Sequence, residues 1–502
     1  MPEYLAPGVY VEEFEIGAKP IEGVSTSTGG CLGKTERGPV EPRLVTSFPA
    51  FQRLYGGYLK DSYVAYAMDG FFTNGGQRCF IGRIVADGAG LATANLTDNG
   101  TNLYTINAIG PGDWGKGVQI KIEDATLSDF ETSPPENPDL FKLVVEYYKD
   151  ADFNSDPLVE EYDNLSPSET SGDSMEKRIN DISNLIVVER LDTDTEVRPD
   201  NQTATLAHAE TAEGALSFND FVGNSTAGER TGLSAFEEVD EISLLFAPDE
   251  NEITGVTGKI IGHCEKLKDR FAITSAPQAA GTIGKIRPPQ DSKYAAYYYP
   301  WIRILDPVTN LNKLIPPAGH VAGIYARSDT ERGVHKAPAN EVVRGANDLQ
   351  FQLLSADQAL LNPRGINVIR TFIGRGIRVW GARTMSSDSL WKYINVRRLF
   401  IFVEESIEEG TQWVVFEPND EKLWARVRQT ITAFLTTVWR SGALMGTTAE
   451  EAFFVKCDRS TMTQDDIDNG RLICVIGIAP VKPAEFVIFR IAQWAGGSAV
   501  TE

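Results

Sequence analysis

The sequence has few of the side chains on which catalytic and metal sites usually depend. It contains four histidines and five cysteines in 502 residues. No histidine stands in an HExxH pair or beside a GxSxG turn, and no two cysteines have the CxxC spacing of a zinc site. We therefore expect no metal, no cofactor and no catalytic centre. The odd number and wide scatter of the cysteines also argue against a disulfide scaffold, so we interpret them as buried reduced thiols. They are Cys31, Cys79, Cys264, Cys457 and Cys474.

Long apolar segments are also absent from the sequence. No stretch of about 18 apolar residues occurs, which is the length that a membrane-spanning helix needs. Residues 1–16 lack the basic start and apolar stretch of an export signal. We expect the protein to be made and assembled in the cytoplasm, without direct insertion into a membrane.

Positive charge is scarce in this chain. Lys and Arg number 47 against 70 Asp and Glu, which gives a formal net charge of −23. This balance disfavours nucleic acid or an anionic membrane as the main partner. An ordered array of copies would need short-range contacts or local charge complementarity to overcome the self-repulsion.

Residues 29–35, GGCLGKT, imitate the end of a phosphate-binding P-loop. Thr28 occupies the position of the leading glycine, and Pro39 and Pro42 follow where the phosphate-facing helix should begin. The backbone amides would then not point together at a phosphate. We expect no nucleotide site at this motif.

Residues 110–115, GPGDWG, match the GxGxxG pattern of dinucleotide-binding proteins. Trp114 lies inside the turn, and the strand-like segment VQIKIED follows where the pattern requires a helix. The motif therefore predicts a glycine-rich turn anchored by a buried tryptophan.

The length and the 42% apolar content predict several domains, of mixed α/β and α+β class. Residues 24–86 have an α/β pattern, with two helical segments before the buried strand RCFIGRIV. From 87 to 236, β-type segments alternate with acidic, Ser- and Pro-rich loops, which predicts an inserted surface domain. The α/β pattern then resumes with a strand, a helix near 257–268 and a second strand, a unit typical of parallel sheets.

The second half of the chain carries further helical and strand patterns. We predict a helix over 347–361, and the strand INVIRTF after the break at residues 362–365. Apolar residues at helical spacing predict a helix from Glu421 to Arg440, with Asn419 or Asp420 as its cap. The strand RLICVIGIA follows. The segment AEFVIFRIAQW, apolar on both faces, predicts a strand covered on both sides.

The N-terminal segment GVYVEEFEIG, residues 8–17, reads as a strand that is too short to build a core by itself. Val9 and Val11 share one face while Phe14 and Ile16 share the other, so a bulge is expected between them. Such a strand must pair with another element. An internal edge strand remains the alternative.

Two neighbouring segments of opposite charge stand out. Residues 364–398 hold eight basic residues and one acidic residue, a net charge of +7, whereas residues 404–421 hold seven acidic residues and no basic one. Each can simply be a solvated face, because exposed ion pairs contribute little. The alternative is charge matching between copies, or with an enclosed partner.

Several long motifs in the chain resemble the tail sheath family of contractile phages, pyocin-like particles and contractile injection systems. The motifs are PPAGHVAGIYARSDTERGVHKAPAN (316–340), LLNPRGINVIRTFIGRGIRVWGART (360–384), WKYINVRRLFIFVEESI (391–407), TMTQDDIDNGRLICVIGIAPVKPAEFVIFRI (461–491), YLAPGVYVEE (4–13) and KTERGPVEPRLVTSFPAFQRLYG (34–56). GPGDWG also looks like the family. The resemblance covers roughly the whole chain except its middle part.

This resemblance implies a multidomain fold. It predicts a subtilisin-like α/β sheath domain, a C-terminal α+β sheath core domain completed by strand exchange, and a β-rich inserted outer domain. The implied bounds are an exchange arm at 1–23, the α/β domain at 24–88 and 237–384, the inserted domain at 89–236, and the core domain with a second arm at 385–502. The subtilisin likeness is one of architecture, because no GTSxAP nucleophile segment is present.

The resemblance also implies a structural function without catalysis. Family members form stacked hexameric rings, wound helically around an inner tube protein, which contract to drive the tube through a target envelope. The implied partners are other copies of the chain, the tube, the baseplate and a tail terminator or cap protein. The particle type, phage virion or host-encoded system, stays open.

Two sets of residues follow as candidate assembly contacts. The strand-exchange set comprises Val9, Tyr10, Val11, Phe14, Ile16, Phe486, Val487, Ile488, Phe489 and Ile491. The charged set, facing a neighbouring copy or the tube, comprises Arg375, Arg378, Arg383, Arg397, Arg398, Glu404, Glu405, Glu408 and Glu409. Two other functions remain as alternatives: an α/β hydrolase or nucleotide-binding enzyme, and a capsid or tube component.

Overall fold

The computed structural model describes residues 20–129, 131, 136–149, 153–191, 196–208 and 213–490. Within these residues the chain forms a mixed nine-stranded sheet and four smaller sheets, with helices packed around them. The predicted strand at 8–16 and Ile491 lie outside the described residues. The fold is thus a mixed α/β, multi-sheet architecture.

The first α/β segment has the order that its sequence predicts. Its elements are β1 (Gly29–Gly33), β2 (Arg43–Val45), α1 (Phe48–Tyr55), α2 (Val64–Thr73) and β3 (Cys79–Arg83). Ser47 caps α1 by accepting a hydrogen bond from the Ala50 amide at 3.2 Å. The P-loop-like glycines lie in β1, which is buried along its whole length.

The next part of the chain is dominated by strands. Its elements are β4 (Thr93–Asp98), β5 (Thr101–Ala108), β6 (Val118–Asp124), β7 (Phe141–Tyr147), β8 (Leu158–Leu165), α3 (Met175–Ile179), β9 (Ile186–Arg190) and β10 (Gln202–Thr205). They form one sheet of order β10-β6-β7-β8 and another of order β4-β5-β9. The inward residues of both sheets share a hydrophobic cluster of their own. This β-rich character agrees with the sequence pattern.

The α/β pattern returns after residue 217. The elements are α4 (Phe218–Val222), α5 (Gly232–Ala235), β11 (Leu244–Phe246), α6 (Val256–Leu267), β12 (Phe271–Ser275) and β13 (Ala295–Tyr299). The predicted strand, helix, strand unit is confirmed, since β11 and β12 pair in parallel on either side of α6. Phe221, Leu233 and Phe236 join the cluster around the large sheet rather than that of the β-rich part.

The following elements complete the large sheet. They are β14 (Ile302–Leu305), β15 (Asn312–Ile315), α7 (Ala318–Arg332), β16 (Glu341–Val342), β17 (Asp348–Leu349), α8 (Ser355–Leu361), β18 (Ile366–Phe372) and β19 (Gly376–Val379). The helix predicted over 347–361 is therefore only half as long, because residues 348–349 pair with β14 instead. The strand predicted at INVIRTF is confirmed as β18.

The nine-stranded sheet has the order β16-β19-β18-β13-β12-β11-β1-β3-β2. Strands β3, β1, β11, β12, β13 and β18 are parallel to one another, and antiparallel strands close both edges. Strands β1, β12 and β13 are buried throughout. That burial explains their continuous apolar sequences, which are typical of parallel strands covered on both faces.

The last part of the chain is helical around a small hairpin. Its elements are α9 (Ile394–Gly410), α10 (Glu421–Arg440), α11 (Ala449–Ala452), β20 (Phe453–Lys456), α12 (Gln464–Asp468) and β21 (Val475–Ile478). The bounds predicted for α10 are confirmed, and Asp420 caps the helix by accepting a hydrogen bond from the Leu423 amide at 2.9 Å. Its predicted apolar face is buried against α9 and the hairpin.

The strand predicted at AEFVIFRIAQW is not formed in residues 484–490, the part of that segment that the structure describes. Instead of lying buried between two layers, Phe486 to Phe489 are exposed to solvent. The physical reason is that no strand among the described residues lies beside this segment to pair with its backbone. The prediction was therefore wrong for the chain taken alone.

A buried acid at the carboxyl end of the large sheet makes folding depend on pH. Glu250 follows β11, is buried, and accepts a hydrogen bond from the Ser275 amide at 2.6 Å. Burial raises the pKa of Glu250 from 4.5 to about 8. The folded protein therefore holds this proton more tightly than the unfolded chain does.

We predict that Glu250→Gln becomes more stable than the parent protein as the pH rises. The stability linked to the Glu250 proton is fully present below about pH 4.5 and is lost as the pH rises through 8. Glutamine avoids that loss, which amounts to a few kcal/mol at about 1.4 kcal/mol per pKa unit. Urea unfolding at pH 5 and pH 9 measures the difference. The exposed Glu331→Gln is the control, and an equal change at both pH values would contradict the prediction.

Candidate assembly site

The first described residues run along helix α9 in the opposite direction to the helix. A Cβ on Gly410 would lie 2.6 Å from Ile21, and the Val24 amide donates a hydrogen bond to Ser406 Oγ at 3.1 Å. Thr26 lies further back along the helix, beside Arg398. The described part of the chain therefore begins near the carboxyl end of α9.

A buried ion pair fixes this N-terminal segment to two helices. Arg398 of α9 donates hydrogen bonds to both Asp329 oxygens of α7, at 3.0 and 2.5 Å, and to the Thr26 carbonyl at 2.7 Å. The Thr26 hydroxyl donates to Asp329 at 2.7 Å, and Arg398 also lies over the Tyr325 ring. Both charged side chains are only 3% exposed. The sequence suggested an external contact for Arg398, but the structure shows an internal one.

Arg397 and Glu404 also meet within the chain. The Arg397 guanidinium is 2% exposed, donates to Glu404 at 2.5 Å and lies 4.5 Å from the centre of the Trp391 ring. Burial raises the pKa of Glu404, although the neighbouring Arg397 opposes the rise. This stack packs α9 against the loop before it. A contact of either residue with a second copy stays a prediction, and the burial of Arg397 leaves it little surface to offer.

A second ion pair holds the C-terminal segment. Arg383 donates two parallel hydrogen bonds to Glu485, Nε to Oε1 and Nη2 to Oε2, each at 2.7 Å. Asn362 and Tyr393 donate to the same carboxylate at 2.7 and 3.1 Å. Burial alone would raise the pKa of Glu485, but the hydrogen bonds and the positive charge of Arg383 outweigh it and lower the pKa to about 2. We call this group the Glu485 clasp: Asn362, Arg383, Tyr393 and Glu485.

Immediately after the clasp the chain leaves the body of the protein. Phe486, Val487, Ile488 and Phe489 are 70%, 68%, 78% and 83% exposed. A run of four exposed large apolar residues is unusual on a soluble surface and is typical of an interaction site. The structure thus places this part of the strand-exchange set at the surface, directly after the Glu485 clasp.

The hairpin of β20 and β21 is a sheet of only two strands. Its register runs from Phe453 opposite Ile478 to Lys456 opposite Val475. Phe454 and Val475, on the outward face, are 50% and 43% exposed. Two-stranded sheets have outer edges at which further strands can pair. The sequence predicted β21, but it did not reveal that the sheet stops at two strands among the described residues.

Arg375 and Arg378, of the remaining charged candidates, lie in the exposed hairpin between β18 and β19. Arg378 donates to the Asn340 carbonyl at 2.6 Å, and Arg375 lies over the Phe372 ring. Beyond them, Ile373 at the tip of the turn is fully exposed. This hairpin therefore presents both charge and apolar surface.

Acidic residues of α9 line a cavity of about 230 Å³ between that helix and the amino ends of β11 and β12. Glu405 and Glu409 face it together with Asp240 and Asp269. Burial, and the nearby carboxylates, raise the pKa of Glu405 to about 7. Glu408 lies beside them on the same helix. The structure brings Glu405, Glu408 and Glu409 together, away from the basic hairpin of the same chain.

The motifs that imitate nucleotide sites have structural roles. Lys34, the lysine of GGCLGKT, pairs with Asp61 at 2.9 Å, and a Cβ on Gly33 would lie 2.5 Å from Val64. GPGDWG forms a turn in which the Trp114 indole, half-buried, donates to the Pro111 carbonyl at 3.1 Å.

Open α/β sheets usually bind ligands where the strand order reverses, which here is between β1 and β11. That crevice is filled by Val64 and by Asp249, which holds the Tyr63 amide at 2.7 Å.

Two kinds of feature are absent from the described residues. No helix among them is both long and apolar enough to cross a membrane. No group of three or more His, Cys, Asp or Glu side chains among them is arranged to hold a metal ion.

Comparison with known families identifies the chain. Residues 223–385 match the model of the phage tail sheath protein central domain, and residues 386–493 match that of the phage tail sheath C-terminal domain. The chain belongs to the phage tail sheath family. The matched residues of this sheath protein include α9, the β20–β21 hairpin and the exposed segment after Glu485.

Individual relatives of the sheath protein agree with this assignment. A prophage major tail sheath protein of Pseudomonas aeruginosa is 28% identical over 287 residues, which is 54% of this chain and 72% of the relative. The tail sheath protein of Enterobacteria phage T4 is 24% identical over 197 residues, 38% of this chain and 29% of the relative.

Solved sheath structures share the fold. The sheath of an extracellular contractile injection system, PVC, in its contracted state matches with a TM-score of 0.60 at 23% identity, over 99% of both chains. The helical sheath of the anti-feeding prophage in its contracted state matches with a TM-score of 0.58 at 26% identity, over 97% of this chain and 99% of the other. The likeness therefore extends through the β-rich part, which the family models do not match.

We predict that Arg398→Met strongly destabilises the sheath protein. Removing one partner of a buried ion pair leaves the other charge unpaired, which costs about 3–5 kcal/mol. Urea unfolding measures the loss, and the exposed Arg375→Met is the matched control. The double variant Arg398→Met, Asp329→Leu should recover part of the loss, because it removes the unpaired charge. Equal stability of both single variants would contradict the internal role of Arg398.

We predict that Glu485→Gln frees the C-terminal segment while the body stays folded. The neutral side chain loses the charge-assisted hydrogen bonds to Arg383, which are stronger than neutral ones. Limited proteolysis after residue 481 should become about threefold to tenfold faster, with unchanged unfolding of the body. The exposed Glu450→Gln serves as the control. Unchanged proteolysis of Glu485→Gln would show that the clasp does not hold the segment.

Proposed function

We propose that the protein is the structural sheath subunit of a contractile, phage-tail-like injection machine, and that it acts by assembly and rearrangement without catalysis. The observation that carries this proposal is the exposed apolar segment Phe486 to Phe489, held at its root by the Glu485 clasp in a tail sheath protein. A chain that folds one end so firmly and leaves the next residues uncovered is built to contact another molecule.

The partner for this segment is a second copy of the same chain. An extended apolar strand binds best at the open edge of a sheet, where its backbone groups find hydrogen-bond partners. The β20–β21 hairpin offers such edges and exposes Phe454 and Val475 beside them. We infer that the C-terminal arm of one copy extends the hairpin of a neighbour, which supports strand exchange through Phe486, Val487, Ile488, Phe489 and Ile491.

The N-terminal arm supplies a further strand to the same assembly. Residues 20–28 are fixed along α9 by Arg398 and Asp329, so residues 1–19 start from a rigid point on the body. Val9, Tyr10, Val11, Phe14 and Ile16 belong to this arm. Burial of Val9, Val11, Phe14 and Ile16 would contribute on the order of 1.5–3 kcal/mol for each side chain, before the cost of ordering the arm.

Terminal arms that are anchored to the body, as these are by Arg398–Asp329 and by the Glu485 clasp, suit a sheath that contracts. Strands exchanged between copies can stay paired while the bodies rotate and replace their flatter surface contacts. The bodies then move as units, because the ion pairs that hold both roots lie inside each copy. Two solved relatives, both sheaths in the contracted state, share this fold. This likeness supports a polymer that can adopt a contracted arrangement.

The polymer that we propose consists of helically stacked hexameric rings around an inner tube protein, with a baseplate at one end and a terminator or cap protein at the other. One structural relative is described as a baseplate of the anti-feeding prophage, which supports the baseplate contact. Contraction of the rings would drive the tube through a target envelope. In this proposal the large-sheet part is the subtilisin-like domain, the part from 385 onward is the core domain nearest the tube, and the β-rich part faces outward.

Charge matching between copies is a second component of the proposal. Arg375 and Arg378 lie on the β18–β19 hairpin, whereas Glu405 and Glu409 line an acidic cavity beside α9, with Glu408 next to them on that helix. Opposite charges on separate surfaces of one chain can meet only between copies or with another partner. Such contacts would help an array of chains that each carry a net charge of −23.

We predict that breaking the C-terminal strand abolishes polymers without unfolding the subunit. Proline at position 488 removes a backbone donor that a sheet ladder needs, and Ile488 is exposed in the single chain. Electron microscopy of Ile488→Pro should therefore show no long sheaths, while its unfolding midpoint matches that of the parent. Ile488→Val is the matched control and should assemble normally.

Deletion of residues 1–17 tests the other arm in the same assay. A folded subunit that no longer polymerises is the expected result. Long sheaths formed by this deletion variant or by Ile488→Pro would contradict the strand-exchange proposal.

A further inference from the structure

Two cysteines lie opposite each other at the end of the β20–β21 hairpin. The ladder pairs Lys456 with Val475, so the next position on each strand brings Cys457 opposite Cys474. The two thiols also interact directly through their side chains. They are therefore neighbours in space although 17 positions separate them in the sequence.

The alternation of side chains places both cysteines on the inward face of the hairpin. Phe453, Val455 and Cys457 belong to the same hydrophobic cluster as Ile476 and Cys474. Directly opposed residues of an antiparallel pair have Cβ atoms about 4.5–5.5 Å apart. A disulfide bond requires only a modest approach from that separation.

Local hydrogen bonds hold the two backbones in place where the ladder ends. Arg428 of α10 donates to the Cys457 carbonyl at 2.5 Å, and the Thr461 hydroxyl donates to the Ile473 carbonyl at 2.9 Å. The connecting loop therefore returns to a fixed point beside Cys457. This arrangement keeps the two cysteines opposite each other.

We propose that Cys457 and Cys474 form a reversible disulfide bond that closes the β20–β21 hairpin. Cys457 is fully buried, so access to this pair from solvent is through Cys474. Cys474 is partly exposed, whereas Cys31, Cys79 and Cys264 are fully buried. An oxidant can reach the pair through Cys474 without unfolding the body.

The reaction needs an oxidant, and a small disulfide such as oxidised glutathione supplies it. The Cys474 thiolate attacks one sulfur of that disulfide, and one glutathione thiolate leaves. The Cys457 thiolate then attacks the Cys474 sulfur, and the second glutathione thiolate leaves. The two cysteines lose two electrons and two protons in total, and the oxidant gains the two electrons.

The consequence of this bond for assembly rests on the proposed function. The hairpin is the sheet to which we assign the strands of neighbouring copies, and it has only two strands among the described residues. A covalent bond at the end of the ladder would fix the register of both strands. Neighbouring arms would then add to a sheet that cannot open at that end.

Oxidation of the purified full-length protein tests the proposal. The protein is incubated with oxidised glutathione, free thiols are blocked with N-ethylmaleimide, and the denatured protein is digested and mapped by mass spectrometry. We expect one crosslink between the peptides that contain Cys457 and Cys474, with a mass loss of about 2 Da. Hydrogen exchange in β20 and β21 should slow several-fold, and dithiothreitol should reverse both changes.

Cys474→Ser and the buried pair Cys31 and Cys79 provide the controls. The variant should lose the crosslink and the slower exchange, while Cys31 and Cys79, which lie on the adjacent strands β1 and β3, should stay reduced in the parent. Three outcomes would each overturn the proposal. They are a lasting glutathione adduct on Cys474, full retention of all five thiols, and a crosslink between Cys31 and Cys79 in place of the expected one.

Assembly of the same samples separates this inference from the proposed function. Sheaths that form without any Cys457–Cys474 crosslink after oxidation would overturn the disulfide alone. A crosslinked protein that never polymerises, reduced or oxidised, would overturn the sheath function alone. If both hold, oxidised sheaths should require more urea to dissociate than reduced ones or those of Cys474→Ser.

Discussion

The backbone of an extended apolar segment needs hydrogen-bond partners, and the described part of this chain places no strand beside Phe486 to Phe489. Phe486 to Phe489 leave the body directly after the Glu485 clasp and remain exposed. The β20–β21 hairpin nearby has only two strands in the part of the chain that the structure describes. One element lacks a sheet and another has open edges, and in the proposed assembly a second copy satisfies both requirements. The proposed function depends on this complementarity.

The buried ion pairs determine where the arms begin. Arg398 and Asp329 fix the N-terminal segment along α9, and Arg383 and Glu485 fix the C-terminal one beside the large sheet. Buried pairs add little net stability compared with apolar packing, but breaking one is costly, so they define geometry well. The residues around Thr26 and around Glu485 are therefore held firmly against the body. In the proposed assembly, a force applied to either arm would be transmitted through these ion pairs to the helices and the sheet.

The large sheet resembles those of many enzymes in its parallel order, yet its ligand-binding position is occupied by the chain itself. Val64 and Asp249 fill the crevice between β1 and β11. Gly29 and Gly33 of GGCLGKT make room for α2, and Gly30 makes room for Ile242 and Phe236, instead of a phosphate. The same residues that imitate a nucleotide motif in the sequence are thus needed for close packing. This is one case in which a short motif has a structural explanation once its neighbours are known.

The sequence by itself determined the local elements and the family. The spacing of apolar residues and the cap at Asp420 defined α10, and the parallel unit around α6 followed from its strand and helix patterns. These features are local, since they depend on residues a few positions apart. Only the tertiary structure decided which charges are internal, because Arg398 and Asp329 are 69 positions apart. It also decided that the apolar run after Glu485 is exposed. A sequence that is apolar on both faces shows that a strand needs to be covered, but it does not show which chain covers it.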